Sequence, residues 1–145
     1  MFKLTVIFLL TIACKAVANQ SGHNDTEILH DEPVCYIHSE GSDTTFLTLT
    51  YHKDNTITGE MKWQPSGQDG AIGRLALTQN GNTFHGDYVY TIEGSDQTEE
   101  VIFVKKEGKL FKQEYELEDT NGKLIPKKGT NPVRKLSFDE VECMK

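Results

Sequence analysis

From Asp43 to Lys53 the chain alternates, with Leu47, Leu49 and Tyr51 on one phase and Thr48, Thr50 and His52 on the other. A period of two is that of a strand with one buried face. Asp54-Asn55 supplies a turn, and Thr56 to Gln64 repeats the pattern with Ile57, Met61 and Trp63 opposed to Thr58, Glu60 and Lys62. The two segments predict a hairpin. Pro65 to Gly70 is a loop by composition, and Ala71 to Gln79 predicts the next strand, with Leu75 and Leu77 in phase. Asn80-Gly81 then predicts a two-residue type I′ turn, which needs positive φ at both positions. Beyond it, Thr83 to Glu93 sets Phe84, Tyr88, Tyr90 and Ile92 against His85, Asp87, Val89 and Thr91, until Gly94-Ser95-Asp96 breaks the pattern.

The next strand, Thr98 to Lys106, is apolar on both faces at Val101-Ile102-Phe103-Val104. Its outer side is expected to be covered or to carry a modest apolar patch. After a turn at Glu107-Gly108, Lys109 to Glu118 places Phe111, Tyr115 and Leu117 inward and Lys112, Glu114 and Glu116 outward, and Thr120-Asn121-Gly122 ends that hairpin. Lys123 to Pro126 reads as a short strand weakened by its proline, and Val133 to Cys143 as the last strand, carrying Leu136, Phe138 and Val141. No stretch has a helical period.

Turn signals recur about every 12 to 14 residues, which predicts an all-β antiparallel up-and-down meander. About eight strands of this length curl, and pairing first with last removes the aggregation-prone edges. The expected fold is a small barrel, similar in shape to lipocalins and other calycins. Alternating charges on its outer face argue against an outer-membrane barrel, which needs an apolar band. The inward aromatic residues Tyr51, Trp63, Phe84, Tyr88, Tyr90, Phe103 and Tyr115 either fill the interior or line a ligand site, and Gly59, Gly73 and Gly86 supply either room or bends.

The N-terminus carries a different signal. Lys3 followed by the apolar run Leu4 to Ala13 is too short to span a bilayer as a helix and fits a secretory signal peptide within residues 1–18. Ala13-Cys14-Lys15 resembles a bacterial lipoprotein lipobox, with Thr11 where that pattern prefers Leu. The resemblance implies a lipidated Cys14 and a membrane anchor. Ala16-Val17-Ala18 offers an ordinary cleavage site instead, leaving a secreted soluble protein. Residues 19–32 are polar and acidic and read as a flexible tether, and residues 33–145 form one domain.

Three cysteines are an odd number for an exported chain. Acylation consumes Cys14 and ordinary cleavage removes it, so either ending leaves Cys35 and Cys143, near the two ends of the domain. A disulfide between them is expected in an oxidising compartment, and only a closed or nearly closed barrel brings them within reach. The chain has 15 Lys and Arg against 22 Asp and Glu, a net charge of −7, with no basic stripe. Nucleic acid is thereby an unfavourable partner.

The signal, the acidic spacer, Cys35-Tyr36, Gly86-Asp87-Tyr88, Val101 to Lys106 and Val141-Glu142-Cys143 together resemble small, mostly uncharacterised Bacteroidetes-type lipoproteins. The resemblance implies a barrel-like fold and a place in the cell envelope, in the periplasm or at the outer membrane, and no particular activity. A small lipid-anchored barrel with terminal cysteines is also similar to periplasmic lysozyme inhibitors, whose diagnostic loop is not evident here.

Catalytic and metal chemistry find little support. His23, Asp25, Glu27, His30, Asp31 and Glu32 lack zinc spacing, and a calcium-loop pattern starting at Asp54 meets Pro65 where Glu is required. Asn24-Asp25-Thr26 is a glycosylation sequon that matters only in a eukaryotic pathway. His85 and Asp87 share a strand face and could form an acid-base pair with help from Glu60 or His52, but no nucleophile motif accompanies them. The expectation is therefore a non-enzymatic envelope protein without cofactor or metal, binding a protein, glycan or small ligand. Inhibition of a secreted hydrolase such as lysozyme is one alternative, and a small enzyme centred on His85 and Asp87 a second.

Overall fold

Each alternating segment forms a strand in the computed structural model, which describes residues 31–144. The segments expected to be a signal peptide and an acidic tether, with Cys14 and the sequon, lie outside the described residues except for Asp31 and Glu32. Ten strands follow in chain order, with no helix among the described residues: β1 (Pro33–Glu40), β2 (Asp43–Tyr51), β3 (Thr56–Gln64), β4 (Ala71–Asn80), β5 (Thr83–Ile92), β6 (Ser95–Lys106), β7 (Lys109–Glu114), β8 (Leu117–Thr120), β9 (Lys123–Pro126) and β10 (Arg134–Val141). Strands β1 to β7 pair consecutively, β10 pairs with β7, and β1 pairs with β10, so eight strands close into an antiparallel barrel. The β8–β9 hairpin stands outside the ring. It is attached through a short parallel pairing of β9 with β6, Thr98 opposite Lys123 and Glu99 opposite Leu124.

Tight hairpins set the registers. Glu93-Gly94, Glu107-Gly108 and Asn121-Gly122 have positive φ at both residues, as type I′ turns require. The β4–β5 turn differs from the expectation for Asn80-Gly81. Asn80 pairs with Thr83, so the turn is Gly81-Asn82, and only Gly81 has positive φ, as at the first central residue of a II′ turn.

The core is built from the inward phase. Tyr36, Leu47, Leu49, Tyr51, Ile57, Leu77, Phe84, Val101, Phe103, Leu110 and Phe138 are all buried. On the outer face Thr58, Glu60 and Lys62 are exposed, and the outward Ile102 and Val104 are half-buried beside Phe111, which makes the modest apolar patch expected of β6. The inward glycines serve as bends. A Cβ at Gly73 would collide with the backbone of Val89 and Tyr90, and one at Gly86 with that of Ala76 and Leu77, so neighbouring strands approach there too closely for any side chain.

One strand has the opposite phase to that expected. The two-residue turn at Glu107-Gly108 pairs Lys105 with Leu110 and Phe103 with Lys112, so Leu110, Lys112 and Glu114 point inward and Phe111 points out. Register fixed by the turn overrides the apolar pattern, because a slip of one residue would turn every side chain of β7 over. The strand then ends at Glu114 rather than Glu118, and Val133 N donates to Glu114 O at 2.8 Å as the chain returns to β10.

The closing seam is short. β1 and β10 pair over Cys35–Ile37 and Asp139–Val141, and the Cys35–Cys143 disulfide lies at the outer end of this pairing, with Cα atoms 5.2 Å apart and 108 positions between them in sequence. Toward the other end side chains replace the backbone ladder: His38 Nδ1 donates to Ser137 O at 2.8 Å, and Arg134 pairs with Glu40. A bridge closing a loop of this length removes roughly 4 to 5 kcal/mol of unfolded-chain entropy. Reduction, or the Cys35→Ser/Cys143→Ser variant, should therefore lower unfolding stability in urea by about 3 to 4 kcal/mol with a steeper slope, because the unlinked denatured chain exposes more surface.

Candidate functional site

The two ends of the barrel differ. At the end where the chain enters at Pro33, the Tyr51 ring packs edge-on against Phe84 with centroids 5.7 Å apart, Phe103 packs against Phe138, and the Tyr36 and Tyr51 hydroxyls hydrogen-bond at 3.0 Å. Burial pushes both hydroxyls above the ordinary phenol range, and each needs the other as its polar partner. This end is filled.

The opposite end opens into a cavity of about 350 Å³ ringed by the β1–β2, β3–β4, β5–β6 and β7–β10 connections. Trp63, Tyr88 and Tyr90 form an aromatic wall. The Tyr88 and Tyr90 rings stack with centroids 4.5 Å apart and planes at 15°. Tyr88 Oη donates over β4 to Met61 O of β3 at 3.0 Å, and Tyr90 Oη donates to Gln97 Oε1 at 2.9 Å, so both rings are fixed in orientation. Burial raises the Tyr88 hydroxyl, with the neighbouring Tyr90 and the Glu99 charge adding to it, and the Tyr90 hydroxyl is raised by burial and then by Glu99. Glu99 stands opposite Tyr88 in the β5–β6 pairing, so a carboxylate borders the aromatic wall.

The charged wall comes from strand ends. Glu99, Lys112, Glu114 and Arg134 lie on inward positions of β6, β7 and β10, and Glu40 and Asp43 flank the β1–β2 turn. Lys112 is only 9 % exposed, which a lone ammonium could not tolerate. Its Nζ lies 3.2 Å from Glu99 Oε1 and 3.8 Å from Glu114 Oε1. Arg134 spans Glu40 and Glu114, the latter at 3.8 Å from Nε. Asp43 Oδ1 accepts the Ser66 N–H at 2.9 Å, tying the β3–β4 loop to the rim. Among the described residues no group of three or more His, Cys, Asp and Glu side chains is placed to hold a metal ion.

Of the aromatic residues expected to line a ligand site, Trp63, Tyr88 and Tyr90 border this cavity, and Tyr51, Phe84 and Phe103 belong to the filled end. Tyr115 lies outside the barrel in the break between β7 and β8, its hydroxyl donating to Gln113 Oε1 at 2.7 Å. His85 and Asp87 share the outer face of β5 but bond elsewhere: His85 Nε2 to Glu100 Oε1 at 3.0 Å, and Asp87 Oδ1 to Lys123 Nζ at 2.7 Å. His52 bonds Asp31 and Thr58, and Glu60 lies opposite Arg74. None of these four bonds another. The charged wall was missed in the sequence although it left a trace: Glu40, Asp43 and Glu99 continue the inward phases of Tyr36, Leu47 and Val101, through His38 and Thr45 in the first two.

No family model matches the chain, and neither the curated proteins nor the solved structures contain a match to it.

Lys112→Ala would leave Glu99 without its closest cation and should cost about 2 kcal/mol in urea denaturation, less than in a dry core because the mouth admits water. Lys112→Met together with Glu99→Gln removes both charges and should stay within about 1 kcal/mol of the wild type.

Proposed function

We propose that the protein is an exported, lipid-anchored, non-enzymatic binding protein of the cell envelope whose ligand enters the open mouth of the barrel. The observation that carries this reading is the cavity of about 350 Å³ in which oriented aromatic rings face fixed charges, at the end opposite Pro33. Concave sites of this size with a few convergent polar groups are where small ligands bind. The Cys35–Cys143 disulfide favours an oxidising compartment, and Ala13-Cys14-Lys15 supports an anchor, since two acyl chains retain a protein where one does not.

The mass of the mature protein taken from membranes should equal that of a chain beginning at diacylated Cys14, less two hydrogens for the disulfide. A chain beginning at Asn19 would replace the anchored reading with a secreted one.

A second reading, inhibition of a secreted hydrolase such as lysozyme, draws on the acidic rim of Glu40, Asp43 and Glu114 and the net charge of −7, which suit a basic target. It expects loss of lysozyme activity at micromolar protein, and full activity there would remove it.

A further inference from the structure

We propose that the mouth takes a small organic cation, an ammonium or guanidinium group on a short carbon body. The inference rests on the reading of the mouth as the binding site and specifies what that site selects.

Charge decides the sign of the ligand. Four carboxylates, Glu40, Asp43, Glu99 and Glu114, reach the cavity against two cations, Lys112 and Arg134. Both cations are already engaged, Lys112 by Glu99 and Glu114 and Arg134 by Glu40 and Glu114. An anionic ligand would have to strip one of them from its partners and would then face the remaining carboxylates. A cation can leave every pair in place and use the lone pairs that a carboxylate retains after one contact, as at Asp43, where the Ser66 amide engages only Oδ1. Low-dielectric walls around such an excess of one sign concentrate ions of the other.

The aromatic wall adds chemistry that a bare acidic rim lacks. The rings of Trp63 and Tyr90 are partly exposed, Tyr90 backed by the buried Tyr88 stacked on it, and a cation over such an electron-rich face gains about 0.5 to 2 kcal/mol. Glu99 lies opposite Tyr88 in the β5–β6 pairing, so its carboxylate stands beside the Tyr88–Tyr90 stack and in the same cavity as the Tyr90 and Trp63 rings. Those faces offer dispersion and apolar burial to a carbon body, and the volume of about 350 Å³ accommodates one.

NMR titration of the mature protein with agmatine, glucose and succinate tests this. Agmatine should shift the Trp63 indole N–H and the amides of the mouth, binding more tightly than either other probe, and should weaken as salt rises. Asp43→Asn, which keeps an acceptor for the Ser66 amide, should weaken agmatine about tenfold, and Trp63→Ala by a similar factor. Tighter binding of glucose or succinate at the mouth would overturn the cation inference while leaving the mouth a binding site. Absence of shifts with all three at about 10 mM would overturn both readings. An Asp43→Asn protein with an otherwise native spectrum and unchanged agmatine affinity would also overturn the inference.

Discussion

A meander becomes a barrel only when its first and last strands meet, and here that meeting is brief. β1 and β10 hydrogen-bond over Cys35–Ile37 and Asp139–Val141, and without this pairing both strands would present open edges. The disulfide sits at one end of the seam and the Arg134–Glu40 ion pair at the other. The bond at the filled end is covalent and indifferent to salt and ordinary pH. The contacts at the mouth are polar side chains that water can reach. One seam therefore separates a fixed foot from a mouth held by charge.

The division of the interior follows from this. Aromatic and aliphatic residues of every barrel strand meet at the foot, where Gly86 lets β4 and β5 approach closely enough to enclose them. Near the mouth the same inward phase carries carboxylates, Lys112 and Arg134. These charges cannot pack as hydrocarbons do, so they pair with one another around a space and leave a cavity where a core would otherwise continue. Binding capacity at the mouth and stability at the foot are two outcomes of one inward phase.

Most of the fold was legible in the sequence because strand phase is a local property. Leu47, Leu49 and Tyr51, or Phe84 and Tyr88, declare their face within a few residues, and the disulfide followed from an odd cysteine count and the placement of Cys35 and Cys143. The orientation of β7 was not legible from its own residues, since Leu110 and Phe111 are neighbours and either could have been buried. It is settled by the two-residue turn at Glu107-Gly108, and with it the burial of Lys112. The site was obscured for a related reason: a charge in an apolar phase looks like a strand end until the ends of several strands are gathered into one rim.

Native-state hydrogen exchange, compared between the oxidised protein and the Cys35→Ser/Cys143→Ser variant, tests most directly whether the seam is the element on which the rest depends. The account predicts that amides of Cys35–Ile37 and of β10 lose protection first and most, while β3 and β4 keep the protection of the global fold. Equal loss across all strands, or protection in β1 and β10 that matches β3 and β4 without the disulfide, would contradict it.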